Sequence, residues 1–170
     1  MELFKHRMFF DMDGTLNVFD PEAGPDRYTA KGYFKNRPPI KAMVDTVNEL
    51  IDEGVEVFII SSVFQDDHSI DEKNDWINRM FGAMRIPYKK RIYVPYGISK
   101  SGYLKKLGIT IEKTDILVDD YNPNLFDWPG IAVKVLNGIN GNSNEWEGYF
   151  IDHRSKMNSN ILRGIQKVSA

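Results

Sequence analysis

The sequence predicts an α/β fold of the Rossmann-like kind, a parallel sheet of about five strands flanked by helices. Three observations predict it. Short apolar segments alternate with stretches of helical periodicity along the whole chain. The apolar segments are near-continuous rather than alternating, as in strands covered on both faces. Several of them stop abruptly at paired polar residues, at the strand ends where ligand sites of such sheets lie.

The elements follow in order. "HRMFFDMD" is a short buried strand opening into a loop at Asp11-Met12-Asp13. Pro25 to Pro39 mixes glycine, prolines and aromatics without a clean period, and reads as a loop or small insertion. "IKAMVDTVNELIDEG" places Ile40, Met43, Val44, Val47, Leu50 and Ile51 at helical spacing, and Gly54 closes it. "VEVFIISSV" is a strand rich in β-branched residues. "SIDEKNDWINRMFG" is a helix with Trp76, Ile77, Met80 and Phe81 inward. "RIYVPYG" is a third strand, "KSGYLKKLG" a short helix ending at Gly108, and "TDILVDD" a fourth strand. "NPNLFDWPG" begins as a helical turn and breaks at Pro129. "IAVKVLNG" is a fifth strand, and "SKMNSNILRGIQKVS" is a closing helix.

Composition narrows the function classes. A chain of 170 residues fits one domain, residues 1–170, with 17–39 as an insertion. A domain of this size buries roughly 70% of the surface of its unfolded chain and needs no staples. There is no cysteine, which excludes disulfides, thiolate zinc sites and cysteine nucleophiles. A net charge of −2 suits neither a stable nucleic-acid partner nor an anionic membrane. The N-terminal apolar stretch is too short for a secretory signal, and no segment approaches the roughly 20 apolar residues of a membrane span. A cytoplasmic protein is expected.

The predicted strands end in Asp11 and Asp13, in Ser61 and Ser62, and in Asp119 and Asp120. Carboxylates gathered at one sheet edge raise one another's pKa unless a positive group sits among them. A hard divalent cation meets that need, and Mg²⁺ prefers such oxygen ligands. The serines and a lysine can then hold a phosphate. Taken singly, each feature is ordinary: Asp-Gly and Asp-Asp are turn residues, and a serine pair caps helices. "DMDGT" also fails as a calcium loop, with Thr15 and Leu16 where a ligand and a glycine are required. The conjunction at three strand ends carries the reading. His6, His68 and His153 are scattered and form no site, and Trp128 and Trp146 read as core or loop anchors.

These motifs carry a family resemblance. "FFDMDGTL" resembles the Asp-x-Asp-Gly-Thr motif of the haloacid dehalogenase-like phosphohydrolases, "VFIISS" their second motif and "ILVDD" their fourth. "FIISS" followed by "DEKNDW" is similar to the 5′(3′)-deoxyribonucleotidases, and "ILVDDYNPNLFDW" and "LNGINGNSNEW" to bacterial and phage nucleotidase-like members. The resemblance runs from Met8 to Trp146. It implies that Asp11 is the nucleophile, forming an aspartyl-phosphate, and that Asp13 is the general acid and then base. It implies a phosphate-binding set of Gly14, Thr15, Ser61, Ser62 and Lys100. It implies Mg²⁺ on Asp11, the Asp13 carbonyl, Asp119 and Asp120. Of three candidate lysines, Lys73 matches the Glu-Lys pattern and is taken as catalytic; Lys100 is the supporting contact, and Lys105 is third.

Residues 17–39 stand where this family inserts a specificity cap, and Tyr28, Tyr33 and Phe34 offer rings there to stack on a base. The mammalian-type nucleotidases carry a larger helical cap, so a short cap leaves the site open. The expected substrate is a small phosphomonoester, namely a (deoxy)nucleoside monophosphate. The alternatives are a sugar phosphate, a nucleic-acid end, phosphotransfer to a second alcohol, or a silent phosphate-binding domain.

Overall fold

The computed structural model describes residues 6–139 and 145–169. Its frame is a six-stranded, wholly parallel sheet of order β3-β2-β1-β4-β5-β6. The strands are β1 (Arg7–Phe10), β2 (Glu56–Val63), β3 (Arg91–Pro95), β4 (Ile116–Asp119), β5 (Ile131–Leu136) and β6 (Tyr149–Asp152). Strand order reverses between β1 and β4, so the crevice at their carboxyl ends is the expected ligand site.

β1 shows why the apolar run is unbroken. Met8 and Phe10 pack into one core with helices α2 (Lys41–Asp52), α3 (Ser69–Phe81) and α6 (Asn158–Val168), on one face of the sheet. Phe9 packs into a second core on the other face, with Leu117, Leu104 and Trp128. That face is covered by α4 (Lys100–Lys106) and α5 (Asn122–Phe126). Successive strand side chains point to opposite faces, so both parities must be apolar. Burying each phenylalanine fully contributes roughly 1.5–3 kcal/mol.

The chain leaves the ladder sooner than expected. Asp11 still donates its N–H to Val118 O at 2.9 Å, but the Met12 carbonyl then accepts from Thr15, Leu16 and Asn17, closing a tight turn. Between β1 and α2, residues 17–39 contain one helical turn, α1 (Pro25–Tyr28). Its two ends are zipped together: Val18 N–H donates to Pro38 O and Ile40 N–H to Leu16 O, both at 2.8 Å.

The sixth strand, β6, goes beyond the sequence reading. It is a four-residue edge strand whose first two residues, Tyr149 and Phe150, are exposed, so it lacks the buried apolar run that marks the other strands. Part of the segment 136–146, residues 140–144, lies outside the described residues, as do the two ends of the single domain read over 1–170. Among the described residues no helix is long and apolar enough to cross a membrane.

Candidate active site

Three strand ends and one helix start converge on the β1/β4 crevice. Asp11 and Asp13 leave β1, Ser61 and Ser62 lie near the end of β2, Asp119 ends β4 and Asp120 follows it. Lys100 opens α4, where Ser99 caps the helix by accepting the Gly102 N–H at 3.1 Å. The carboxylates of Asp11, Asp119 and Asp120 offer oxygens that all lie within 4.8 Å of one another, and all three residues are buried.

Lys100 stands among them. Its ammonium donates to Asp11 Oδ1 at 2.5 Å and to Asp119 Oδ2 at 2.6 Å, fully buried. Burial disfavours its charge, yet Asp11 and Asp119 together hold its pKa above the ordinary lysine value. One ammonium does not neutralise three carboxylates. Burial above all pushes the Asp11 pKa well up; Lys100 opposes this, and Asp119, Asp120 and Asp13 add to it.

A second lysine serves the neighbouring acid. Lys73, fully buried on α3, donates to Asp13 Oδ2 at 2.5 Å, Ser61 Oγ at 2.7 Å and the Ser62 carbonyl at 2.8 Å. Asn17 donates to the other oxygen, Asp13 Oδ1, at 3.0 Å. Asp13 keeps 22% of its side chain exposed, so it is held from behind and open in front. Of the two lysines, Lys100 sits on Asp11 and Lys73 on Asp13.

The phosphate-side residues divide. Ser62 lines the cleft, whereas Ser61 is fully buried with its hydroxyl on Lys73. Thr15 is buried and is not part of the cleft wall. Gly14 adopts φ +84°, and a Cβ there would lie 2.3 Å from Asp120 Oδ2. The close approach that requires glycine is to this carboxylate. Asn137 bridges the two, donating to Gly14 O and Asp120 Oδ2 at 2.8 Å each.

Other supports carried little sequence signal. Asn124 donates to Asp119 Oδ2 at 3.0 Å, and the Tyr121 N–H to Asp119 Oδ1 at 2.9 Å. Buried Lys134 donates to the Asp120 carbonyl at 2.7 Å, and burial lowers its pKa. The asparagines follow "VDD" and end "VLN" as ordinary turn residues. Only the fold reveals that they point at the acids. Lys134 had a faint signal, as the one charge inside a β-branched strand.

In front of the acids lies a cleft of about 830 Å³. One wall is aromatic. Phe19 stacks on Tyr28 at 5.8 Å, Tyr28 and Phe34 both stack on Phe64 at 6.2 and 6.5 Å, and Phe64 meets Tyr96 at 5.0 Å. Tyr28 and Phe34 line the cleft as expected; Tyr33 packs behind them. Phe19, Phe64 and Tyr96 complete a wall that the sequence did not assign.

Residues 20–147 match the family model described as 5′ nucleotidase, deoxy (pyrimidine), cytosolic type C protein. That span is most of the chain. The protein belongs to this nucleotidase family. The match takes in most of the 17–39 segment, Ser61, Lys73, Lys100 and the Asp119–Asp120 pair; Asp11 and Asp13 stand before it.

Solved structures agree on the fold of this nucleotidase-family phosphatase. The D,D-heptose 1,7-bisphosphate phosphatase of B. bronchiseptica, complexed with magnesium and phosphate, superposes with a TM-score of 0.62 at 11% identity, covering 96% of this chain and 99% of that one. A haloacid dehalogenase-like hydrolase of Xanthomonas campestris gives 0.61 at 10% identity, covering 96% and 97%. A family IA, variant 3 hydrolase of Entamoeba histolytica gives 0.60 at 11%, covering 95% and 99%. No curated protein matches the sequence.

Proposed function

We propose that this phosphatase is a Mg²⁺-dependent phosphomonoesterase whose substrates are (deoxy)nucleoside monophosphates. One observation carries the reading: a single cleft joins a buried carboxylate trio at its base to a continuous aromatic wall at its side. The trio takes the phosphate end and the rings take a base. We read residues 1–170 as one catalytic domain with 17–39 as its reduced cap. A cytoplasmic setting is in keeping with the family's description as cytosolic.

The donor set fits the metal. Asp11, Asp119 and Asp120 are hard oxygen ligands with one ammonium to balance them, and the Asp13 carbonyl is the fourth ligand we assign. Magnesium bound there would offset the charge of these carboxylates and polarise a phosphoryl group. The similar heptose bisphosphate phosphatase was solved with magnesium.

Asp11 attacks phosphorus; the P–O bond to the ester oxygen breaks as the Asp11 oxygen–phosphorus bond forms. Asp13 gives its proton to the leaving alkoxide, then takes one from the water that hydrolyses the aspartyl-phosphate. Lys100 offsets charge on the nucleophile. Lys73 and Asn17 aim Asp13. Ser62 reaches a phosphoryl oxygen, with Gly14 allowing the chain past Asp120.

The test is phosphate release from nucleotides, sugar phosphates and phosphorylated oligonucleotides, with and without Mg²⁺. Nucleoside monophosphates are expected to lead, only with Mg²⁺, and Asp11→Asn to abolish release. Sugar phosphates or oligonucleotides in the lead would reject the nucleotide assignment, and release by Asp11→Asn would reject the nucleophile.

A further inference from the structure

We infer that Glu72 is a positioning residue that sets the aromatic wall of the cleft for the ring of the substrate, an inference that rests on the nucleotidase reading. Glu72 and Lys73 are neighbours on α3. Neighbours on a helix leave it about 100° apart, and these two serve different parts of the molecule. Lys73 reaches Asp13 and Ser61. Glu72, buried itself, reaches the cap.

The contact is between one carboxylate and three backbone amides. Glu72 Oε1 accepts the Gly32 N–H at 2.5 Å, and Oε2 accepts those of Phe34 at 3.1 Å and Lys35 at 3.4 Å. Gly32 stands at φ +86°, a left-handed conformation at the start of this loop. Charge-assisted bonds to a buried carboxylate are among the stronger ones a loop can have.

What they fix is Phe34. Its amide is on Glu72, and its ring lies 4.3 Å from Lys73 Nζ, 6.5 Å from Phe64 and 5.1 Å from Tyr33. Tyr33 meets Tyr28 at 5.3 Å, and Tyr28 stacks on Phe19 and Phe64. The rings of the cap are thus registered against the acids through one helix. Glu72 does not line the cleft. Its loss should weaken capture of a ring and leave phosphoryl transfer alone.

The experiment compares wild type, Glu72→Ala and Glu72→Gln on a deoxynucleoside monophosphate and on β-glycerol phosphate, which has no ring. Glu72→Ala is expected to raise KM for the nucleotide roughly tenfold, about the worth of one charge-assisted hydrogen bond. Its kcat, and its kcat/KM for glycerol phosphate, should stay within about twofold. Glu72→Gln, which keeps an acceptor, should recover part of the KM. Equal losses on both substrates, or no loss, would overturn the inference. Amide hydrogen exchange gives an independent reading: protection at Gly32, Phe34 and Lys35 should fall in Glu72→Ala, and unchanged protection would overturn it too. If wild type hydrolyses neither substrate, the nucleotidase reading falls, and amide exchange still decides whether Glu72 holds the cap.

Discussion

At the scale of the residue, the two lysines show what the sequence could and could not reveal. Both were singled out, because a phosphoryl site with several acids needs cations. Which acid each one serves depends on where α3 and α4 start relative to the strand ends, and no local pattern encodes that. The same holds for Ser61 and Ser62, which successive pleats of β2 send to Lys73 and to the cleft. Asp11, Asp13 and the Asp119–Asp120 pair were legible because each ends a buried strand, where a charge is conspicuous. The contacts rank the lysines. Lys100→Met leaves Asp11 and Asp119 buried without their counter-charge and should lower kcat/KM for an aryl phosphate by about a hundredfold to a thousandfold. Lys73→Met leaves Asp13, still partly solvated and held by Asn17, and should cost at least several times less. The reverse ranking in steady-state kinetics would put the functional cation back on α3.

At the scale of the element, α3 is the beam between cap and site. Its periodicity was readable: Trp76, Ile77 and Phe81 face inward as expected. Its second duty was not, since hydrogen bonds to a distant loop leave no period in the sequence. Trp76 is fully buried and its Nε1–H donates to the Arg37 carbonyl at 2.8 Å, so it spans the core and the foot of the cap. Arg79 donates to the Lys35 carbonyl from the next turn. Trp76→Phe removes the indole N–H and opens a small void, which together should cost about 2–3 kcal/mol. Urea unfolding of the variant against wild type measures it; a change below about 0.5 kcal/mol would show that the cap stands without this anchor.

At the scale of the whole molecule, the sheet concentrates charge at one edge. That β1 to β5 form a parallel sheet follows from buried strands alternating with helices, and the polar strand ends mark the edge that carries the site; the order, with its reversal between β1 and β4, comes from the fold. β6 escaped because an exposed edge strand need not be apolar. A buried carboxylate trio balanced by a single ammonium costs folding free energy, and a divalent cation that binds only the folded chain returns some of it by mass action. Binding at a hundred times the dissociation constant contributes about 2.7 kcal/mol. For a domain of this size each kcal/mol moves Tm by about 2–4 °C. Replacing EDTA with saturating Mg²⁺ should therefore raise Tm by roughly 5–10 °C in calorimetry, without any substrate. Asp119→Asn takes one charge out of the trio, so it should not lower Tm in EDTA, and it should lose most of the Mg²⁺ increment because it removes one of the three clustered carboxylates. An increment that is absent in wild type, or undiminished in Asp119→Asn, would place the metal elsewhere than on this trio.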